Sequence, residues 1–219
     1  MNITIVLGDK IPSIKYGGTQ RVMWYLGKEL NKRGHKVTFI AGKGSSCPFA
    51  KVIELDPSVN LNTQIPTDAD IVHFNIPVPE GITKPHLLTI HGNGIPANAD
   101  RNIVFVSRNH AQRLGSESFV YNGLDWDDYG PANLTLPRKN YHFLGKAAWK
   151  VKNIKGAIAV VQSIKNAQLD VLGGYRLNLK MGFRFTWNPR IHFHGMVDDS
   201  KKKVIIEQSK GLIFPVTWH

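Results

Sequence analysis

Apolar runs and helical repeats alternate from the start of the chain. Residues 2–7 (NITIVL) are rich in β-branched side chains, which predicts a buried strand. A helix is predicted next, with Thr19 as its N-cap and Gly34 just after its basic last turn. Its apolar face contains Val22, Met23, Leu26 and Leu30. A second strand follows at residues 37–41, and this strand–helix–strand order indicates the opening of a doubly wound α/β domain.

Further short strands predict a mostly parallel sheet in the first half. The predicted strands are residues 51–55, 70–74, 86–90, 102–106 and 118–121, with a short helix at residues 108–114. Several of them are apolar at consecutive positions, as strands covered on both faces are. Ligands of such sheets bind beyond the carboxyl ends of the strands. We therefore expect a site near residues 8–18, His73, residues 91–94 and Ser107.

The glycine pattern of a dinucleotide-binding site is missing. Such a site needs GxGxxG directly after the first strand and an acidic residue at the end of the second. The first turn offers only Gly8, and the second strand ends in Ala41 and Gly42. The pattern therefore argues against NAD binding.

Two glycines and two histidines remain as candidates in the first half. Gly17 and Gly18 precede the helix, where residues without Cβ let backbone N–H groups approach a ligand, although a plain turn would also accept them. His91 lies between a strand and a glycine-rich turn, and its position fits either a hydrogen-bonding or a chemical role. His73 also ends a strand, and for it a structural role is favoured.

The α/β alternation stops at residues 121–138 and then restarts. This segment is rich in Gly, Pro, Asn and Asp and lacks periodicity, so we place a domain boundary in it. We predict an N-terminal domain at residues 1–125, a linker at 126–138 and a second domain at 139–219. The second domain is predicted to contain strands at residues 141–144, 169–172, 190–194 and 212–216, and helices from Ile154 and at 200–208. Residues 175–189 fit no element.

A glycine and four lysines connect the first strand and helix of the second domain. The stretch FLGKAAWKVKNIKGA begins as an apolar run, continues through Gly145 and becomes helical at Ile154. Its lysines are Lys146, Lys150, Lys152 and Lys155. Backbone N–H groups and a helix start attract phosphate, and ammonium groups neutralise it. A solvated lysine-rich loop explains this stretch equally well.

Composition limits the class of protein. The chain has 219 residues, 42% of them hydrophobic and 20% charged, as in globular proteins with a core. Its longest apolar runs are about six residues, far below the roughly twenty of a membrane-spanning helix. The N-terminus lacks the pattern of a secretion signal, and the single Cys47 fits a reducing compartment and no zinc site. The net charge of +12 suggests an anionic partner: a phosphorylated small molecule, an acidic membrane or nucleic acid.

Several motifs, in order, resemble one enzyme family over nearly the whole chain. The segments YGGTQRVMWYLGKELNKRGHKVTFIA, VYNGLDWDDY, FLGKAAWKVKNIKGAI, VLGG and IHFHGMV resemble retaining glycosyltransferases of family four. The resemblance implies an α/β fold of GT-B-like architecture, with one complete Rossmann-like domain and an incomplete second one. It also implies transfer of a sugar from a nucleotide-diphosphate sugar, with retention of configuration and no metal ion or cofactor.

The resemblance assigns roles to individual residues. Lys146, where the family usually has arginine, and Lys152 would hold the diphosphate and stabilise the leaving group, although lysine lacks arginine's bidentate fork. His91 matches a histidine beside the reaction centre. Met196 and Val197 fall where the family holds the base by main-chain contacts. All the remaining residues implied in donor binding are Gly17, Gly18, Gly145, Gly173, Gly174, Met196 and Val197.

One departure from the family's pattern bears on activity. Two glutamates that position the donor would follow the final segment FPVTWH, so we expect a C-terminally truncated donor domain and little or no activity of this chain alone. An uncovered last strand would also favour self-association. Alternatives are a non-catalytic sugar-nucleotide or carbohydrate-binding remnant and a basic nucleic-acid-binding protein, although no nucleic-acid-binding motif is recognisable.

The expected partners follow from the glycosyltransferase function. They are a UDP- or GDP-sugar donor and a glycan, lipid or small-molecule acceptor, and nucleic acid is not expected. The expected location is the cytoplasm, with peripheral contact at the inner face of an anionic membrane as a further alternative. Carbohydrate biosynthesis is the expected process.

Overall fold

The chain forms two α/β units, of which a computed structural model describes residues 1–15, 17–95 and 101–217. The first unit contains Met1–Ser13 and Gly17–Trp126, and the second continues from Asp127. Each unit is built around its own parallel sheet.

The first unit has a six-stranded parallel sheet. Its strands are β1 (Asn2–Val6), β2 (Lys36–Ala41), β3 (Lys51–Glu54), β4 (Ile71–Phe74), β5 (His86–Ile90) and β6 (Ile103–Phe105). They are arranged in the order β3-β2-β1-β4-β5-β6, which is the strand order of doubly wound nucleotide-binding folds. The predicted doubly wound domain is therefore confirmed.

Buried side chains of the central strands alternate between two core layers. In β1, Ile3 and Ile5 face one layer with Phe39 of β2, whereas Val6 faces the other with Phe74 of β4. This explains why the strands are apolar at consecutive positions: both faces of the sheet are covered.

In the described part of this unit, the sheet is accompanied by the helices α1 (Gly18–Lys32), α2 (Leu61–Gln64) and α3 (Arg108–Arg113). The predicted N-cap at Thr19 is wrong, because α1 already begins at Gly18 and Thr19 lies inside its first turn. Gly17 is the N-cap, with a φ of 156° that disfavours side chains. Gly34 was correctly predicted just beyond the helix, and its N–H donates to the Asn31 carbonyl at 2.9 Å.

The strand predicted at residues 118–121 is wrong. Phe119 makes only an isolated bridge with Phe105 of β6. Phe119 packs against the core, but Val120 and Tyr121 are exposed, and the pairing does not extend to them.

The second unit has a four-stranded parallel sheet and a small hairpin. Its elements are β7 (Asn140–Leu144), α4 (Ile154–Ser163), β8 (Leu169–Leu172), β9 (Leu177–Asn178), β10 (Arg184–Phe185), β11 (Ile191–Phe193), α5 (Asp199–Glu207) and β12 (Ser209–Leu212). The sheet order is β11-β8-β7-β12, and β9 pairs antiparallel with β10. This order repeats the β3-β2-β1-β4 portion of the first sheet.

The last strand lies earlier than predicted. We expected residues 212–216, but β12 begins at Ser209 and has a bulge between Ser209 and Gly211. Ser209 is buried, and its Oγ lies 2.7 Å from Nδ1 of His142 in β7. The strand is therefore anchored by a polar contact that an apolar pattern does not indicate.

Candidate functional site

The carboxyl edge of the first sheet brings together polar side chains from β4 and β5. His91 directly follows β5, and its Nε2 lies 2.9 Å from Oδ1 of Asn75, which directly follows β4. Asn75 in turn donates from Nδ2 to the Val6 carbonyl at 3.2 Å. Burial, followed by the nearby His110, lowers the pKa of His91, so its imidazole is neutral near pH 7.

Two further histidines surround His91. Nε2 of His73 lies 2.7 Å from the Thr89 hydroxyl, and burial, followed by the charge of His91, lowers the pKa of His73 to about 4. His110 is buried with its ring edge-on to Phe105, and its Nε2 has no hydrogen-bond partner in the described part of the chain. His73 therefore has the structural partner that was expected of it, within a histidine cluster that the sequence did not reveal.

The two glycines at the start of α1 differ in what the fold requires of them. A Cβ on Gly17 would lie 2.4 Å from Ser13 Oγ and 2.6 Å from Gln20 Oε1, whereas a Cβ on Gly18 would meet no described atom within 4 Å. Gly17 is thus required by local packing and by its positive φ, while the space beside Gly18 is open. The first turn of α1 has neither a side-chain cap nor an acidic residue.

Glycine loops meet at the carboxyl edge of the second sheet. The Gly145 loop follows β7, and Gly173 and Gly174 follow β8. A Cβ on Gly173 would lie 2.2 Å from the Gly145 carbonyl oxygen, and one on Gly174 would lie 2.6 Å from Ala147 Cβ. The N–H of Gly173 donates to the carbonyl of Gly195, beyond β11, at 2.7 Å. The structure thus brings together the predicted glycines of two strand ends with Gly195, which was not predicted, from a third.

The four lysines of the Gly145 loop fall into two pairs. Lys146 and Lys152 are half-buried, whereas Lys150 and Lys155 are exposed. Nζ of Lys146 lies 5.2 Å from the centre of the Trp149 ring, and Nζ of Lys152 lies 5.2 Å from the centre of the Phe214 ring. The aromatic rings hold both ammonium groups by cation–π contact. These supporting rings were missed, because nothing in the linear pattern connects Phe214 to Lys152.

The loop ends in a capped helix. Asn153 has a left-handed conformation, with φ of 52°, and its Oδ1 accepts from the N–H of Gly156 at 3.0 Å. Asparagine tolerates this conformation and is a good N-cap, which fixes the direction of α4. The predicted helix start at Ile154 is confirmed.

Met196 and Val197 connect β11 to α5. Val197 is buried and Met196 half-buried, after Gly195 with a φ of 71°. The aromatic ring of Tyr175 would meet a Cβ on Gly195 at 3.1 Å. The segment then ends at Asp198, whose side chain accepts from the N–H of Lys201 and caps α5.

A polar network that the sequence did not reveal crosses the second sheet. Asp170 of β8 accepts from Asn140 Nδ2 at 2.8 Å, and its other oxygen lies 2.7 Å from Nε2 of His194. These contacts tie together β7, β8 and the segment after β11. They explain a carboxylate in a central strand without a catalytic role.

A cleft at the opposite edge of the first sheet is a weaker candidate. It has a volume of about 460 Å³ and is lined by residues that include Asn2, Lys36 and Asp68. Because ligands of parallel sheets bind at the carboxyl ends of the strands, we place the functional sites at the other edge.

The described residues contain neither a candidate group of metal ligands nor a helix that could span a membrane. Within residues 1–15, 17–95 and 101–217, no three His, Cys, Asp or Glu side chains are grouped as metal ligands would be. None of the helices in those ranges is both long and apolar enough to cross a bilayer.

Comparison with known proteins identifies a fold but no family. No family model and no curated protein matches the sequence. The fold is similar to that of AviGT4, a glycosyltransferase involved in avilamycin A biosynthesis, with a TM-score of 0.72, 15% identity, and coverage of 99% of this chain and 70% of that one. MurG from Acinetobacter baumannii aligns with a TM-score of 0.49 and 12% identity over 96% of this chain and 72% of that one. The predicted GT-B-like α/β fold class with Rossmann-like units is confirmed.

Proposed function

We propose that this protein is a glycosyltransferase of the retaining family four type that uses a nucleotide-diphosphate sugar. The observation that carries the proposal is the edge of the second sheet, where Lys146 and Lys152 flank loops built from Gly145, Gly173 and Gly174. Ammonium groups next to a closely packed glycine backbone can bind the negatively charged oxygens of a diphosphate. The fold likeness to a solved glycosyltransferase supports the same function.

In this proposal, the lysines act on the leaving group. The bond between the anomeric carbon and the diphosphate oxygen breaks, the acceptor oxygen bonds to that carbon on the same face, and the proton of the acceptor hydroxyl passes to the departing diphosphate. Negative charge grows on the diphosphate, and Lys146 and Lys152 stabilise it more strongly in the transition state than in the bound donor. The cation–π contacts with Trp149 and Phe214 pre-position the two charges.

The other candidate residues have roles within their own units. In the second unit, the main chain of Met196 and Val197 binds the base, and in the first unit, Gly17 and Gly18 offer backbone N–H groups to phosphate. His91 contacts the sugar as a neutral imidazole that is oriented by Asn75. No metal ion or cofactor takes part, the acceptor is a glycan, lipid or small molecule, and the reaction takes place in the cytoplasm.

Calorimetric titration with UDP, GDP and ADP tests the donor site. We expect one of the three to bind and Lys152→Gln to weaken it by at least about tenfold, because a charge-assisted hydrogen bond is lost. Lys165→Gln, at an exposed lysine beyond α4, is the matched control. If no nucleotide binds, or if both variants bind equally well, the phosphate assignment is wrong.

Turnover separates a transferase from a protein that only binds sugar nucleotides. Release of nucleoside diphosphate from a UDP- or GDP-sugar in the presence of an acceptor, with an unchanged anomeric configuration in the product, would establish transfer and would overturn the expectation that this chain alone has little or no activity. Tight donor binding without any release would fit both that expectation and the non-catalytic alternative.

A further inference from the structure

The hairpin between β8 and β11 exposes its apolar side chains. Residues 175–187 include β9 and β10, in which Leu177 pairs with Phe185 and Asn178 with Arg184. The exposed apolar side chains are Tyr175, Leu177, Leu179, Met181, Phe183, Phe185 and Trp187. Trp187 is 83% exposed and Phe183 72%, so these are not side chains at the margin of a core.

The inner face of this hairpin is polar and fully engaged. Arg176 donates to the carbonyls of Thr186, Asn188 and Ile191 at 2.8–3.2 Å. Arg184 is buried, donates to the Thr186 hydroxyl at 2.9 Å and to the Tyr175 carbonyl at 3.0 Å, and stacks 4.9 Å from the centre of the Phe193 ring. Turning the hairpin over would break these bonds, so its orientation is fixed.

Such a surface indicates an interaction site. Monomeric proteins rarely expose several large apolar side chains side by side, and larger patches of this kind mark interaction sites. Phe185 and Trp187 are in edge-to-face contact, with ring centres 4.6 Å apart, so part of the patch is already ordered.

The positive charge around the hairpin favours an anionic partner. Residues 171–197 contain four Lys and Arg and no Asp or Glu. Residues 127–219 contain 15 Lys and Arg against 6 Asp and Glu, which gives +9 of the chain's +12. Arg176 and Arg184 donate to uncharged oxygens, so those bonds leave their positive charge in place.

We propose that the hairpin at residues 175–187 inserts its apolar face into the interface of an anionic lipid bilayer. Aromatic rings with neighbouring cations suit the boundary between headgroups and acyl chains. Lys180 is exposed at the turn. Lys150 lies near Gly182, because the Lys150 Cε would be 3.5 Å from a Cβ atom added to Gly182. A second copy would bring the +9 of its own residues 127–219 against the same positive charge, whereas anionic lipid attracts that charge.

Vesicle flotation tests this proposal without depending on the proposed function. We expect the chain to float with vesicles of phosphatidylcholine containing 30% phosphatidylserine, and to bind much less to phosphatidylcholine alone or in high salt. The double variant Phe183→Ser/Trp187→Ser should lose at least about tenfold in binding, because two large apolar side chains no longer leave water. Leu134→Ser, at a residue 77% exposed in the linker, is the matched control.

A labelled chain keeps the test decisive if the double variant folds poorly. In a Cys47→Ser background, an environment-sensitive dye at Phe183→Cys should brighten with the anionic vesicles, and the same dye at Leu134→Cys should not. No flotation, equal flotation of the double variant, or an unchanged dye signal at residue 183 would overturn the proposal. A dimer in sedimentation equilibrium that the double variant abolishes would also overturn it, because it would assign the surface to a second copy.

Discussion

At the residue scale, the contacts of Asn75 decide how His91 presents its ring. The Asn75 side chain has its amide nitrogen on the Val6 carbonyl, which leaves Oδ1 to face His91. An acceptor oxygen requires the proton on Nε2 of a neutral imidazole, so Nδ1 carries the lone pair. Asn75 is therefore a positioning residue for whatever His91 contacts.

Replacement of Asn75 tests this tautomer. We expect His91 to be mainly the Nε2–H form in the wild type and a mixture of both forms in Asn75→Ala, because the acceptor is lost. Nitrogen-15 NMR of the histidine rings measures the two forms directly. Thr89→Ala, which removes the partner of His73, should leave the His91 signals in place. The same tautomer in both variants would contradict the role of Asn75.

The depressed pKa of His73 predicts a pH-dependent stability. His73 binds a proton near pH 6.5 in the unfolded chain and only near pH 4 in the folded chain. Its contribution to the free energy of unfolding is therefore fully present above pH 6.5 and is lost as the pH falls towards 4. The loss amounts to about 3 kcal/mol for this group. Urea unfolding of wild type and His73→Gln between pH 4 and 7.5 should show a flatter profile in the variant. His192→Gln, in β11, should keep the wild-type slope.

The linear sequence could point to single residues but not to their partners. His91 and Gly145 were found because they follow predicted strands, where ligands of parallel sheets bind. Lys146 was singled out among four lysines by the resemblance to an enzyme family. Asn75 and Phe214 were not found, because their contacts depend on strand register and on packing between distant segments. Roles assigned to the site residues stay predictions until nucleotide binding is measured.

At the element scale, the loops after β7 and β8 approach too closely for side chains. Gly173 has a φ of 119°, and its missing Cβ would stand 2.2 Å from the backbone oxygen of Gly145. Neither the backbone angle nor the contact can be relieved by turning a flexible side chain. The shape of the proposed phosphate site therefore requires glycine at this position.

Alanine at Gly173 should be strongly destabilising. We expect Gly173→Ala to lower the free energy of unfolding by about 2 kcal/mol or more, from backbone strain and displacement of the Gly145 loop. Gly211→Ala is the control, since its Cβ would approach only Tyr141, at 4.0 Å. Chemical unfolding monitored by far-UV circular dichroism measures both. Equal stabilities of the two variants would show that the loops can separate freely.

Element prediction worked best where periodicity and burial agree. The predicted bounds of β5 and β8 are the same as the observed ones, and α4 starts at the predicted residue. The hairpin at residues 175–187 was not assigned, because alternation shows which side chains share a face but not which face is covered. There, the polar face is the buried one.

At the scale of the whole molecule, one topology occurs twice with very different charge. Both sheets place their first strand between their second and fourth strands. Residues 1–126 contain 13 Lys and Arg against 10 Asp and Glu, so +3 belongs to the first part and +9 to the rest. The basic character is therefore a property of the second unit, where phosphate and anionic lipid are the proposed partners.

Weak nucleic-acid binding is expected despite this charge. Non-specific contacts of a basic surface give dissociation constants of roughly 10⁻⁴–10⁻⁶ M at physiological salt and a steep salt dependence. Fluorescence anisotropy with single-stranded and duplex oligonucleotides should fall within or above that range, without preference among sequences. Nanomolar, sequence-selective binding would favour the nucleic-acid-binding alternative instead.

The shared strand order also sets the sequence of events during folding. Strand β1 can pair with β2 as soon as β2, which begins at Lys36, has been made. The other edge of β1 pairs only with β4, in which Ile71 lies opposite Ile3. Likewise, β7 pairs early with β8 and only later with β12, which joins Asn140 to Ser209. Closing such long loops is slow compared with forming the neighbouring strand–helix–strand unit. During synthesis, the central strand of each sheet can therefore pair along one edge before the partner of its other edge has been made, and an unpaired strand edge favours mispairing.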